Sequence, residues 1–155
     1  MKNLWNKPKA FCFEDDLDAR VYSSRLLGQD SSLVLHGGGN TSVKILEKNL
    51  LGGKEEILYV KGSGWDLVSI ERVGFSPVRI SHMVGLAKLD SLSDPEMVNE
   101  LKTQLTKANA PAPSVETILH AILPFKFVDH THADSVVTIT NTLDGKERIK
   151  EIYGN

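Results

Sequence analysis

Residues 41–64, TSVKILEKNLLGGKEEILYVKGSG, carry two apolar runs separated by a polar turn that holds Gly52 and Gly53. Runs rich in Val, Ile, Leu and Tyr on either side of a glycine turn predict a β-hairpin. The second run ends in another glycine loop, KGSG, at 61–64. Upstream, SSLVLH at 31–36 reads as a further strand, running into GGGN at 37–40.

Helical patterns surround this sheet. EDDLDARVYSSRLLG (14–28) spaces Leu17, Val21 and Leu27 near helical intervals, with acids at its start and Gly28 placed to stop it. PVRISHMVGLAKL (77–89) and DPEMVNELKTQLTKA (94–108) also read as helices, the second with Asp94 as N-cap and Pro95 in the first helical position. ANAPAPS (108–114) is a short linker, and SVETILHAIL a helix capped by Ser114 and ended at Pro124. KFVDHTH (126–132) reads as a strand, DSVVTITNT as a helix, and KERIKEIYG as a helix stopped by Gly154. Helices interleaved with short strands imply an α/β layered domain.

The chain has 155 residues, 25% charged and 41% hydrophobic, and so suits one globular domain. A net charge of −2 gives no electrostatic case for nucleic acid or anionic lipid as partner. A lone cysteine, Cys12, excludes an intrachain disulfide and fits a reducing compartment. No apolar run reads as a signal peptide or a membrane span, and the expected location is the cytoplasm.

Three constellations carry chemistry. FVDHTHAD (127–134) places His130 and His132 at i and i+2, which on a strand share a face and can converge on one metal ion. Alone, such a pair is more often two histidines that simply satisfy local hydrogen bonds than a ligand pair. The loops HGGGNTS (36–42) and KGSG can expose consecutive backbone N–H groups to a phosphate, with Asn40, Thr41, Ser42 and Ser63 as side-chain donors. Each by itself also serves as a tight turn, and neither has Walker or dinucleotide glycine spacing. Glu116 and His120, at i and i+4, share a helix face, with Glu116 in the first turn where the dipole favours its ionised form. His120 is read as a packing residue.

In this order, GGGNTS, KGSG, PSVE and the H-x-H strand resemble the class II aldolase/adducin family of fuculose-1-phosphate and rhamnulose-1-phosphate aldolases. The runs KGSGWDL and KFVDHTHAD look most like the aldolase part of bifunctional rhamnulose-1-phosphate aldolase/lactaldehyde dehydrogenases, over residues 30 to 154. The resemblance implies a three-layer α/β/α sandwich with a mixed, largely antiparallel central sheet. It implies reversible cleavage of a ketose 1-phosphate into dihydroxyacetone phosphate and an aldehyde, with Zn2+ or another divalent metal as cofactor. Glu116 then matches the catalytic carboxylate, and His130 and His132 match two of three zinc-binding histidines. Gly39, Asn40, Ser63, Gly64 and Ser114 fall where the family binds the substrate phosphate.

The chain departs from the family in having no histidine after His132 to serve as third ligand, and Tyr153 comes too early for the aldolases' C-terminal tyrosine. The expectation is a single aldolase-like domain over residues 1–155, truncated at its C-terminal side, in a full-length protein that can carry a dehydrogenase domain and assemble as a homo-oligomer. An adducin-like interaction module without catalysis, and a phosphopentulose epimerase or dehydratase using the same metal, are the alternative readings.

Overall fold

The computed structural model describes residues 3–6 and 12–154. Parts of the N-terminal lead-in, residues 1–2 and 7–11, and Asn155 lie outside the described residues. The elements run α1 (Asp16–Gly28), β1 (Asn40–Lys48), β2 (Lys54–Lys61), β3 (Phe75–Arg79), α2 (Ile80–Leu86), α3 (Asp94–Thr103), α4 (Thr117–Ile122), β4 (Phe127–His130), α5 (Asp134–Thr140) and α6 (Gly145–Tyr153). The expected hairpin forms β1 and β2, with Gly52 at φ 88° in its turn.

The sheet order is β3-β2-β1-β4, and every pairing is antiparallel. Alternation along β2 divides the core in two. Leu58 and Val60 face α2, α3 and α4 and pack with Val78, Ile80, Met83, Leu101 and Ala121. Ile57 and Tyr59 face the other way and pack with Leu17, Val43, Ile70 and Phe75. Helices thus cover both sides of the sheet, giving three layers. Because β2 is central and covered twice, its apolar residues form a continuous run, Ile57 to Val60, rather than an alternating one.

Several local expectations are corrected. SSLVLH is a series of turns, not a strand. The Asp30 carboxylate accepts from the Ser32 N–H at 3.1 Å, the Leu33 and Val34 N–H groups fold back onto the Asp30 carbonyl, and His36 takes φ 49°. An aspartate that hydrogen-bonds the backbone two residues on makes a turn in place of a ladder. The helix expected from Pro77 begins only at Ile80, because residues 75–79 form an edge strand in which Pro77 is tolerated and pairs with Tyr59. The next helix is capped by Ser93, not Asp94, with the Ser93 N–H donated to the Glu96 carboxylate at 3.1 Å, and it ends at Thr103. Ser114 is not a cap: two turn residues follow it and Glu116 holds the N-cap position of α4. Ladder pairing in β4 stops at His130, so His132 lies beyond the strand.

ANAPAPS is packed, not a free linker. The Ser63 N–H donates to the Ala112 carbonyl at 2.8 Å, the Ser76 hydroxyl donates to the Pro111 carbonyl at 2.8 Å, and Gly62 bridges Pro113. At Gly62 a Cβ would lie 2.6 Å from Pro111 Cγ, so only glycine lets the KGSG loop sit against this segment.

Candidate functional site

The site forms where the β1–β4 seam meets the start of α4. β4 pairs with β1 in the register Asn40↔His130, Thr41↔Asp129, Ser42↔Val128. Asn40, His130 and Ser42 therefore share one face, and Thr41 and Asp129 the other. On the first face the Asn40 amide donates to Glu116 Oε2 at 3.1 Å, and the Ser114 hydroxyl donates to the same oxygen. Burial is the strongest single influence on Glu116 and raises its pKa. The hydrogen bonds from Ser114, its own backbone and Asn40, with the charge of His130, outweigh burial and hold the carboxyl below its ordinary range.

His130 and His132 come together although only the first lies in the strand. The His132 N–H donates to the Leu33 carbonyl at 2.9 Å, and the Asp134 N–H donates to the Ser32 carbonyl at 2.8 Å, so the turn at 30–34 carries the chain on where the ladder ends. The two rings stand edge to face with centroids 4.9 Å apart. A Cβ on Gly38 would lie 3.3 Å from His132 Nδ1, so the glycine loop passes directly over this ring. The buried nitrogen of His130 is Nδ1, which leaves Nε2 as its outward one.

This donor set suits two ligands of a divalent ion, since neutral ring nitrogens on neighbouring imidazoles can meet at about 2.0–2.1 Å from a zinc-like centre. Among the described residues no cluster of three His, Cys, Asp or Glu forms around an ion position. Three polar atoms on this face, Asn40 Oδ1, His120 Nε2 and His130 Nδ1, are buried without a hydrogen-bond partner among the described residues.

The glycine loops and the Ser114 turn are brought together. Gly39 is buried at φ 71°, and a Cβ there would lie 2.4 Å from Val34 Cγ1 and 3.0 Å from the His130 carbonyl oxygen. The Lys61 ammonium donates to the Gly37 carbonyl at 3.1 Å, tying the KGSG strand to the GGGN loop. Ser63 and Gly64 are exposed at the turn beyond it, with Gly64 at φ 85° and open space beside it. Asn40 and Ser114, by contrast, are buried and already engaged by Glu116.

Two buried residues escaped the sequence reading. Lys61 is 3% exposed, and burial lowers its pKa against the raising influence of Glu116 and Asp66. Its position inside KGSG was visible, but nothing local said that its ammonium would turn inward. His120, read as packing, is fully buried yet polar in its contacts, with Nδ1 2.8 Å from Ser42 Oγ. Burial first, then the charge of His130, depress its pKa to about 4, so it is neutral in the folded protein near neutral pH. The spacing from Glu116 was the available signal.

A cavity of about 260 Å³ lined by Leu4, Trp5, Leu26, Leu27 and Leu33 lies beside Arg20 and Asp129, on the α1 side of the sheet. Asp129, which lines it, lies on the opposite face of β4 from His130.

An antiparallel α/β/α sandwich with a buffered carboxylate beside a histidine pair and two glycine loops defines a class II aldolase-type domain. The chain belongs to that family: the model of the class II aldolase and adducin N-terminal domain matches residues 19–154. A Bacillus subtilis (strain 168) protein named uncharacterized oxidoreductase YuxG is 39% identical over all 155 residues, which span 22% of that protein's length. A solved structure, the N-terminal class II aldolase domain of a conserved protein from Thermoplasma acidophilum, is 46% identical and superposes with a TM-score of 0.86. That likeness covers 100% of this chain and 71% of the other. Among the described residues no helix is long and apolar enough to cross a membrane.

Proposed function

We propose that this chain is the aldolase part of a longer protein and cleaves a ketose 1-phosphate of the rhamnulose 1-phosphate type to dihydroxyacetone phosphate and an aldehyde. The observation that carries this reading is the Glu116 carboxylate, held by Asn40 and Ser114 next to the His130–His132 pair. A binding module has no chemical need for an oriented, ionised carboxylate beside two converging imidazoles.

His130 and His132 hold zinc or another divalent ion, and the remaining ligand comes from outside the described residues. Bound there, the ion stabilises negative charge as it develops on the three-carbon fragment. The exposed Ser63–Gly64 turn and the Gly39 backbone receive the substrate phosphate. As the phosphate draws the Ser114 hydroxyl and the Asn40 amide from Glu116, that carboxylate loses the donors that keep its pKa low. It is then able to accept the proton taken from the substrate's reacting hydroxyl or carbon. The relative's oxidoreductase name and its much greater length support a dehydrogenase domain elsewhere in the full-length protein.

The test is release of dihydroxyacetone phosphate with zinc supplied. The 155-residue chain alone should show little or no activity, and a protein extended past Asn155 to include a further histidine should gain it. In the extended protein Glu116→Gln should abolish cleavage with metal still bound, whereas His130→Ala should lose both. Robust activity from the short chain would refute the reading that a necessary metal ligand lies outside the described residues. An extended protein that holds zinc yet cleaves neither rhamnulose 1-phosphate nor fuculose 1-phosphate would instead favour the epimerase, the dehydratase or the adducin-like module.

A further inference from the structure

A histidine that binds a metal through one ring nitrogen carries its proton on the other, and that N–H needs an acceptor which fixes both tautomer and ring orientation. In His130 the second nitrogen is Nδ1, buried and without a partner among the described residues. On the same sheet face a second imidazole has the complementary defect. His120 is fully buried, its Nδ1 is engaged by Ser42 Oγ at 2.8 Å, and its Nε2 is buried without a partner. The two are neighbours by construction, because His130 pairs with Asn40 and His120 is held by Ser42, two residues further along that face of β1.

We infer that His120 is a positioning residue for the metal site. The two orphaned nitrogens are not hydrogen-bonded to each other as the rings stand, and a turn of the His130 ring would let the His120 Nε2 accept its Nδ1–H, while the His120 Nδ1–H is donated to Ser42 Oγ. The relay sets His130 as the Nδ1–H tautomer, with the Nε2 lone pair directed outward toward the ion. One donor and one acceptor, each otherwise orphaned, then satisfy each other, and a residue that looked like core packing acquires a reason to be polar. The relay also explains a hydroxyl at position 42, on a strand face where an apolar side chain would otherwise pack. The inference rests on the reading of His130 as a metal ligand.

The experiment separates the two claims by reading the tautomer in metal-free protein first. Long-range 1H–15N correlation spectra of the labelled chain should show His130 as the Nδ1–H tautomer. His120→Leu should shift it toward Nε2–H or a mixture. His120→Gln, whose side-chain oxygen can take the place of Nε2, should restore Nδ1–H, and Ser42→Ala should scramble the population while leaving the fold intact. Zinc affinity, measured by chelator competition, should fall about 10–100-fold in His120→Leu and stay near wild type in His120→Gln.

An Nε2–H tautomer in the wild type, or one indifferent to all three substitutions, would overturn the relay. A tautomer that responds as expected, in a protein extended past Asn155 to include a further histidine that still binds no zinc, would keep the relay and overturn the metal reading. If His120→Leu does not fold, the Gln and Ala variants carry the same decision.

Discussion

Arg20 is the side chain on which the geometry of β4 depends, and Arg20→Met is the substitution that tests this. β4 is an edge strand of four residues, paired on one side only, and it ends at His130. From α1 the guanidinium, 3% exposed, donates to the carbonyls of Ser42 and Val128 at 3.3 Å each and to Asp129 Oδ1 at 2.7 Å. Methionine keeps most of the apolar stem and removes every donor. Two buried carbonyls then lose a charged donor, at about 1–3 kcal/mol each. The ion pair adds little, about 0–1 kcal/mol, because Asp129 is half exposed and resolvates. Against this, the variant no longer desolvates a guanidinium, which offsets a few kcal/mol of the loss.

The expected net loss is about 1–2 kcal/mol, which for a domain of this size lowers Tm by roughly 2–8 °C. Arg20→Lys, with a charge but no fork, should fall between. Urea unfolding followed by circular dichroism gives the free energy, and amide exchange at Val128 to His130 locates it. If Arg20→Met unfolds within about 0.5 kcal/mol of wild type and the β4 amides stay protected, the seam is held by ladder pairing alone and the reasoning is wrong.

Gly39→Ala places a Cβ 2.4 Å from Val34 Cγ1 at a positive φ, and backbone strain plus overpacking should together cost about 2–4 kcal/mol, read by chemical denaturation. Because the same Cβ presses on the His130 carbonyl, zinc affinity should fall as well, measurable by chelator competition. For pH, the folded pKa of His120 lies near 4, below the ordinary value of 6.5, so folding favours the neutral ring. That contribution is complete above about pH 6.5 and is lost as the pH falls toward 4, an expected loss of about 3 kcal/mol. Glu116, Asp129, His130 and Arg20 all act on this ring, and His120→Gln should flatten the stability profile across that window in metal-free protein.

Much of the site was legible because its parts are local chemistry. The β1–β2 hairpin follows from two apolar runs and a glycine turn, and α6 ends next to Gly154, whereas α1 includes Gly28 and is capped by Gln29. The histidine pair, the PSVE turn and the glycine loops could be named without coordinates, since each is a short motif whose residue types limit what it can do. The local signals failed where a distant neighbour changed the meaning of a segment. SSLVLH has strand composition, but the Asp30 turn and the positive φ of His36 leave it no ladder. Residues 75–79 contain a proline and still form a strand, because β2 supplies the pairing and the proline lies at an edge.

Only the tertiary structure decided that β1 would pair with β4 as well as with β2. That pairing spans 90 residues from Asn40 to His130, and no local propensity encodes it. It sets Asn40 against His130, lets the Asn40 amide reach Glu116, and places Ser42 under His120. The sequence determined which groups were available, because residue type fixes donors, acceptors and backbone freedom. Their distances, their burial and which of them were left without partners depended on the strand register and on the helices that close over each face.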